Sequence, residues 1–192
     1  MRARLIAPAG AAVMLSCSLI ACGSSDHDGA FQPAGKPQSA APPGSGAPAG
    51  GADPAAPTGL TVEQIDQQVL ARYRAYQRAY EKAYETNSPV GLTAYAMDPL
   101  LGVITEDLRQ LGAKGQIWRF HNVLNPRIEG RGQHGSRVFV VDCVRTLAAY
   151  RFSAKTGKRL GAFRGGTRAY RAVMTYAAGT WKISNATEGQ RC

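Results

Sequence analysis

Asp142 is the residue whose surroundings in the sequence point most directly to chemistry. It lies in the apolar run VFVVDCV, on the same predicted strand face as Val138, Val140 and Val144. A carboxylate held in apolar surroundings has a raised pKa and can serve as a general base. The preferred interpretation is an ion pair instead, because base chemistry would leave Asp142 unpaired in an apolar site. Its candidate partners are Arg145, Arg168 and Arg171.

The histidines and the short motifs add no catalytic arrangement. His121 shares a predicted strand face with Arg119 and Val123, and His134 lies in the loop EGRGQHGSR. The chain contains neither G-x-S-x-G nor H-E-x-x-H, and FRGGTR lacks the lysine and the following helix of a phosphate-binding loop. We therefore predict a protein that is not an enzyme and that uses no cofactor.

Charge and hydropathy predict a signal peptide at residues 1–21. Arg2 and Arg4 precede an uncharged run from Leu5 to Ala21, and the first acidic residue is Asp26. This order is typical of a secretory signal peptide. The run is interrupted by a proline and a glycine and is shorter than the roughly 20 apolar residues of a membrane-spanning helix, which argues against a transmembrane segment.

The end of the apolar run resembles the lipobox of bacterial lipoproteins, Leu19-Ile20-Ala21-Cys22. In such proteins the cysteine thiol takes a diacylglyceryl group, and cleavage then frees the Cys22 amine for a further chain such as palmitate. Cys17 fits less well, since Met14 would stand where Leu, Val or Ile is usual. The resemblance implies a lipid anchor at Cys22, on the outer face of the cell membrane. The alternative is a secreted protein that is cut at an A-x-A-like site.

Residues 22–59 are predicted to form a disordered linker. The segment is dominated by Gly, Ala, Pro and Ser and contains one aromatic residue, Phe31. Such a composition buries too little apolar surface to offset the entropy of ordering. A flexible linker of this length has a reach on the order of 30 Å. His27 lies between two aspartates, and we interpret this DHD as solvated polar sequence and predict no metal site.

Cys143 and Cys192 are the two cysteines that remain after the leader and the anchor. An even pair in an oxidising compartment favours a disulfide, which would pin the C-terminus to an interior strand. Two free thiols are the alternative. The chain has no C-x-x-C motif, so neither a redox motif nor a zinc site is indicated.

Residues 60–192 are predicted to form one domain, with helices before strands. Thr61 and Gln64 form a capping box at the start of a long helix. A second short helix is expected from Ser88 to near Ala96, and a third is expected after Asp98 as N-cap. Residues at helical spacing on the first helix predict its core face: Ile65, Val69, Tyr73, Tyr76, Tyr80 and Tyr84.

After Lys114 the pattern changes to strands and turns. The strands are predicted in QIWRFHNVL, in RVFVVDCV and in TRAYRAVMTYAAGTWKISNAT, where two strands join around Ala178 and Gly179. SAKTGKR is a predicted turn. Helices followed by an antiparallel sheet indicate an α+β domain.

In this order of elements, residues 60–192 resemble the NTF2-like (SnoaL-like) cone, and in particular small lipoproteins of high-GC Gram-positive bacteria. The resemblance rests on Tyr73, Tyr76, Tyr80, Val140 to Cys143, Trp181, Ile183 and Cys192. It implies N-terminal helices packed on a curved antiparallel sheet. It also implies a conical cavity, which serves as an active site in some members, with a pocket here around Asp142, Trp118 and Tyr176.

Three classes of function follow from this resemblance. The leading hypothesis is a membrane-anchored, non-enzymatic binding or scaffold module of the cell envelope. The second is a small-molecule binder or an enzyme that uses the pocket around Asp142. The third is an accessory subunit of an envelope transport complex.

Basic residues dominate the second half of the domain. From Arg109 onward the chain has 16 Lys and Arg against 3 Asp and Glu. Outside a cell, anionic lipid headgroups and wall polymers are nearer partners than nucleic acid, which we do not predict. A solubilising, arginine-rich surface is the alternative. The basic positions are Arg119, Arg127, Arg131, Arg137, Arg145, Arg151, Lys155, Lys158, Arg159, Arg164, Arg168 and Arg171.

Overall fold

The structure is a computed structural model that describes residues 56–192. The predicted signal peptide, the lipid-attachment residue Cys22 and nearly all of the predicted linker therefore lie outside the described residues. None of the helices in the described part of the chain combines the length and the apolar content that crossing a bilayer requires.

The first helix, α1, spans Val62–Thr86 and confirms the predicted capping box. The Thr61 side chain accepts a hydrogen bond from the Gln64 N–H at 3.3 Å, and Gln64 Oε1 accepts one from the Thr61 N–H at 2.8 Å. The helix ends where Asn87 adopts a left-handed conformation, with φ of 55°. Its buried face contains Val69 and the predicted tyrosines, which form the core.

The region after α1 is less helical than the sequence predicted. The short predicted helix is a single 3-10 turn at Val90–Leu92, and the next helix, α2, spans Leu100–Ala113. Its N-cap is Pro99, not Asp98 as predicted. Asp98 still supports the helix start, because its Oδ1 accepts a hydrogen bond from the Gly102 N–H at 3.0 Å.

Five antiparallel strands form one sheet in the order β1-β3-β4-β5, and β2 also pairs with β3. The strands span Gln116–Val123 (β1), Arg127–Arg131 (β2), Arg137–Ser153 (β3), Arg159–Ala177 (β4) and Thr180–Glu188 (β5). β1 pairs with the second half of β3 and β2 with the first half. β2 was not predicted, because RIEGR has no apolar alternation beyond a single isoleucine.

The long β3–β4 hairpin bends where Leu147 faces Gly165. A Cβ on Gly165 would lie 1.9 Å from the Thr146 carbonyl oxygen and 2.3 Å from that of Leu147. Beside this position, β3 has a β-bulge against β1. Thr146 and Ala149 pair with Asn122 and Phe120, so β3 has one more residue between these pairs than β1 does. Glycine is therefore required for the close approach of the two strands.

Helix α1 lies across the concave face of the sheet, and the core is between them. Trp181 and Ile183 of β5, Val138 and Val140 of β3 and Met174 of β4 are fully buried against the α1 tyrosines. This architecture confirms the predicted α+β class, with helices packed on a curved antiparallel sheet.

Candidate functional site

The space between α1 and the sheet is largely filled by aromatic rings. The centroid of Tyr80 lies 5.8 Å from that of Tyr76 and 4.8 Å from that of Tyr84. Phe120 of β1 closes the cluster, with its ring 5.9 Å from Tyr80 and 5.8 Å from Tyr84. Burial raises the pKa of Tyr84, which therefore stays protonated. Its hydroxyl donates a hydrogen bond to Asp107 Oδ2 at 2.5 Å.

A small cavity of about 50 Å³ opens beside this cluster, at the hairpin side of the sheet. Its apolar wall is made by Tyr80, Phe120, Val144 and the ring of Tyr170. Pockets for drug-sized ligands measure about 300 to 1,000 Å³, so this cavity suits water or a small ion. Its polar lining comes from Gln77, Asn122, Thr146, Arg164, Arg168 and Glu188.

An ion pair at the cavity joins β4 and β5. Glu188 Oε1 lies 3.4 Å from Arg168 Nε, and the two side chains are 15% and 30% exposed. Burial raises the pKa of Glu188, while Arg168 opposes that rise. Burial also raises the pKa of the neighbouring Tyr170 to about 12, with the Tyr76 hydroxyl opposing it. The cavity is thus lined by two arginines, one desolvated carboxylate and two tyrosines whose pKa values burial raises.

The opposite side of the cavity is a chain of amide and hydroxyl contacts. Thr146 Oγ1 donates to Asn122 Oδ1 at 2.8 Å, and Asn122 Nδ2 donates to Gln77 Oε1 at 3.4 Å. Gln77 Nε2 in turn donates to the Tyr73 hydroxyl at 3.0 Å. These bonds fix the orientation of both amides, so the polar wall is ordered before any ligand enters.

Comparisons with known proteins match the architecture. The chain is similar to the intermembrane-space region of the chloroplast protein ARC6, at 12% identity and a TM-score of 0.53, over 64% of this chain and 95% of that one. It is also similar to Aln2 from a Streptomyces species, at 14% identity and a TM-score of 0.43, over 68% and 93%. A third similar structure is a candidate dehydratase of the NTF2-like family from Streptomyces avermitilis, at 12% identity and a TM-score of 0.43, over 68% and 99%.

Helices packed on one curved antiparallel sheet are the architecture that the NTF2-like resemblance implied. These identities are low, so the likeness concerns the fold alone. No protein-family model and no curated protein sequence matches the chain.

Asp142 lies inside the cone and forms no salt bridge among residues 56–192, although the charge of Arg74 on α1 lowers the pKa of its carboxyl. The residue is 1% exposed, and its Oδ1 accepts a hydrogen bond from the Asn125 N–H at 2.7 Å. Its buried Oδ2 has no hydrogen-bond partner, although the Tyr73 hydroxyl is near enough to lower the pKa of the carboxyl. Burial is the larger effect and raises that pKa.

The predicted ion pair of Asp142 with Arg145, Arg168 or Arg171 is therefore wrong. Arg168 pairs with Glu188, and Arg171 pairs with Glu129 at 3.3 Å. Arg145 is exposed on β3, whereas Asp142 points inward, because successive strand residues face opposite sides of the sheet and the two are three positions apart.

The three residues predicted to form one pocket do not meet. Trp118 contacts Phe163 of β4, with ring centroids 4.8 Å apart, and Tyr176 contacts Trp181 at 5.3 Å. Phe163 and Tyr176 are separated by about 40 Å along an extended strand. Neither Trp118, Tyr176 nor Asp142 lines the cavity. The sequence analysis did not predict the pairing of Glu188 with Arg168. The only sign of it in the sequence is that Glu188 is an acidic residue in an otherwise basic segment.

Cys143 and Cys192 form a disulfide, as the cysteine count predicted, with Cα atoms 6.1 Å apart. The tail that it holds also pairs with β4: the Gly189 N–H donates to the Ala169 carbonyl at 2.7 Å, and the Ala169 N–H donates to the Gln190 carbonyl at 3.0 Å. The bridge therefore fixes the segment that follows Glu188.

The other candidate groups do not form a site. His121 Nδ1 lies 3.1 Å from Glu81 Oε2 on the surface. Among residues 56–192, no three His, Cys, Asp or Glu side chains are grouped as metal ligands would be. Gly130, Gly132 and Gly135 have the spacing G-x-G-x-x-G, but they lie at the end of β2 and in the turn before β3, so no helix N-terminus follows for a phosphate.

Proposed function

We propose that this protein is a membrane-anchored envelope lipoprotein whose NTF2-like domain is a binding or scaffold module without enzymatic activity. The observation that carries the proposal is the aromatic filling of the cone by Tyr76, Tyr80, Tyr84 and Phe120, which leaves a cavity of about 50 Å³. A filled interior directs recognition to the outer surface. The lipobox-like sequence at Cys22 supports the anchor.

Fractionation of cells that produce Cys22→Ala tests the anchor, with Cys17→Ala as the matched control. The wild type and Cys17→Ala are expected in the membrane fraction after a high-salt wash, and Cys22→Ala in the soluble fraction. The wash is needed because salt screens any electrostatic contact between the domain and lipid. Cys22→Ala that stays with the membrane after the wash would contradict the anchor.

A second candidate function is the binding of a small anion in the cavity. The Arg164 and Arg168 side chains line the same cavity as one carboxylate, that of Glu188. An entering carboxylate or phosphate would compete with Glu188 for Arg168, and burial would strengthen the new contact.

Titration with acetate and with inorganic phosphate tests this second function by NMR. We expect chemical-shift changes at the aromatic ring signals that surround the cavity, and their loss in Arg168→Gln. Arg171→Gln is the control, because Arg171 is an exposed arginine on the same strand that pairs with Glu129. Shifts that persist in Arg168→Gln would refute the cavity site.

A further inference from the structure

The end of the β3–β4 hairpin, residues 150–162, contains four basic residues and no acidic residue. Between Asp142 and Glu188 the sequence has no Asp or Glu. The hairpin end carries Arg151, Lys155, Lys158 and Arg159. Within the described part of the chain, none of these four forms an ion pair with an acidic side chain. We refer to residues 150–162 as the hairpin end.

Aromatic rings hold the arginines of the hairpin end in place. The Arg151 guanidinium lies 5.9 Å from the Trp118 ring and 6.0 Å from that of Phe163, and Arg159 lies 5.8 Å from the Tyr150 ring. The buried Nε of Arg151 has no hydrogen-bond partner in the described structure. Stacking on Tyr150 restricts the exposed Arg159 side chain, which lowers the entropic cost of binding an anion.

Exposed apolar side chains accompany the charges. Leu160 is 44% exposed and Tyr150 is 37% exposed, both at the hairpin end, and Leu147 at the bend is 52% exposed. Leucine and tyrosine next to lysine and arginine are the composition of surfaces that lie at a membrane interface.

We propose that the hairpin end docks on the surface of an anionic phospholipid bilayer. Lys155, Lys158 and Arg159 contact the phosphates, and Tyr150 and Leu160 enter the headgroup region. This inference rests on the proposed function, since the anchor would keep the domain beside a membrane. A phosphodiester polymer would pair with the basic side chains but would offer no apolar region to the exposed leucine and tyrosine. A bilayer offers both, so we favour a bilayer.

The hairpin end and the entry of the linker are at opposite ends of α1. Asp66, near the helix start, pairs with Arg131 of β2, while Glu85, near its end, lies 3.5 Å from Arg119 beside the hairpin. A helix of 25 residues is about 37 Å long. If residues 22–59 form the flexible linker predicted from the sequence, its extended length exceeds that separation, and the proposed anchor and the hairpin end would reach one membrane.

Vesicle sedimentation tests the docking without the anchor. The chain starting at residue 22, with Cys22→Ala, is mixed with vesicles of phosphatidylglycerol and phosphatidylcholine or of phosphatidylcholine alone. We expect salt-sensitive binding to the anionic vesicles only. Lys155→Gln, Lys158→Gln and Arg159→Gln together should weaken it about a hundredfold, because each basic residue contributes a factor of about five.

The matched control removes three exposed basic residues elsewhere, with Arg74→Gln, Arg127→Gln and Arg191→Gln. This control should bind within a few-fold of the parent, and Leu160→Ser should weaken binding about tenfold at unchanged charge. Equal losses in both triple variants would overturn the proposal, since net charge alone would then explain the binding. Capture by poly(glycerol phosphate) without binding to vesicles would overturn it as well.

The two experiments separate the two proposals. The vesicle assay uses an unlipidated chain, so its failure leaves the anchor at Cys22 unaffected. Fractionation after the high-salt wash reports on the anchor, and its failure leaves the docking of the hairpin end unaffected.

Discussion

Glu188 Oε1 lies 3.4 Å from Arg168 Nε at the cavity of the cone. Strand pairing places Glu188 directly opposite Tyr170, two residues after Arg168, on the same face of the sheet. The disulfide at Cys192 then holds the rest of the tail against β4. Two residues that are distant in sequence thus form a partly buried ion pair through the pairing of β4 with β5.

Glu188→Gln should change how stability depends on pH. Burial raises the pKa of Glu188 above its ordinary value of 4.5, so the folded state holds this proton more tightly than the unfolded chain does. The wild-type residue contributes its whole stabilisation below pH 4.5, and this contribution is lost as the pH rises through the raised pKa of the folded state. Relative to wild type, the variant should therefore gain free energy of unfolding over that range, measured by denaturant titration at several pH values.

Glu85→Gln is the control, because its effect on the free energy of unfolding should change with pH in the opposite direction. The ammonium of Lys82 lowers the pKa of Glu85, so the wild-type contribution is present above 4.5 and is lost as the pH falls through the lowered pKa. If the free energy of unfolding of Glu188→Gln relative to wild type fell as the pH rose, the effect of Arg168 on the pKa of Glu188 would be larger than that of burial.

Asp142→Asn is expected to leave stability at pH 7 unchanged or higher. The amide oxygen can still accept the Asn125 N–H, while the desolvated charge is removed. A buried ion pair with an arginine would instead make the loss of charge cost about 3 to 5 kcal/mol. Asp142→Leu loses the hydrogen bond too and should cost about 1 to 3 kcal/mol in thermal or chemical unfolding.

Gly165→Ala should destabilise the hairpin strongly. The new Cβ would lie 1.9 Å from the Thr146 carbonyl oxygen, so the strands must separate at the bend. We expect a loss of at least about 3 kcal/mol in the free energy of unfolding. Gly161→Ala on the same strand is the control, since its Cβ would be 3.6 Å from the nearest atom, on Arg151, and should cost far less. Equal effects of the two variants would argue against the bend.

The Cys143–Cys192 disulfide should contribute substantially to stability. It closes a loop with a sequence separation of 49, for which the loss of chain entropy in the unfolded state gives about 4 kcal/mol. Cys143→Ala with Cys192→Ala should lower the free energy of unfolding by up to this amount. Peptide mapping without reductant should recover the two cysteines in one linked peptide, and two alkylated thiols would contradict the pairing.

The helices and the core face of α1 were predictable because their signals are local. The Thr61–Gln64 capping box and the tyrosine spacing depend on residues within one or two helical turns. The turn at Ala178 and Gly179 was also predictable, and both residues have positive φ. By contrast, β2 and the full length of β3 and β4 depend on pairing between distant segments, which local propensity does not reveal.

The candidate site shows the same division. Asp142 was placed correctly on the inner face, since alternation along a strand is local, but its partner was wrong. The groups that act on its carboxyl are the Asn125 backbone and Tyr73 and Arg74 of α1, all set by how segments pack across the sheet. The cavity residues Arg168 and Glu188 meet only through the register of β4 with β5.

From the sequence alone, the disulfide and the α+β order of elements were predicted correctly and the basic character of the second half is evident, while the lipid anchor at Cys22 stays a prediction. Each of these depends on residue type, count or local spacing. Only the tertiary structure decided that aromatic rings fill the cone, that Glu188 and not Asp142 faces the cavity, and that the unpaired cations and exposed apolar groups gather at the hairpin end. Those results depend on register and on strand curvature at Gly165, which arise from contacts between residues far apart in the chain.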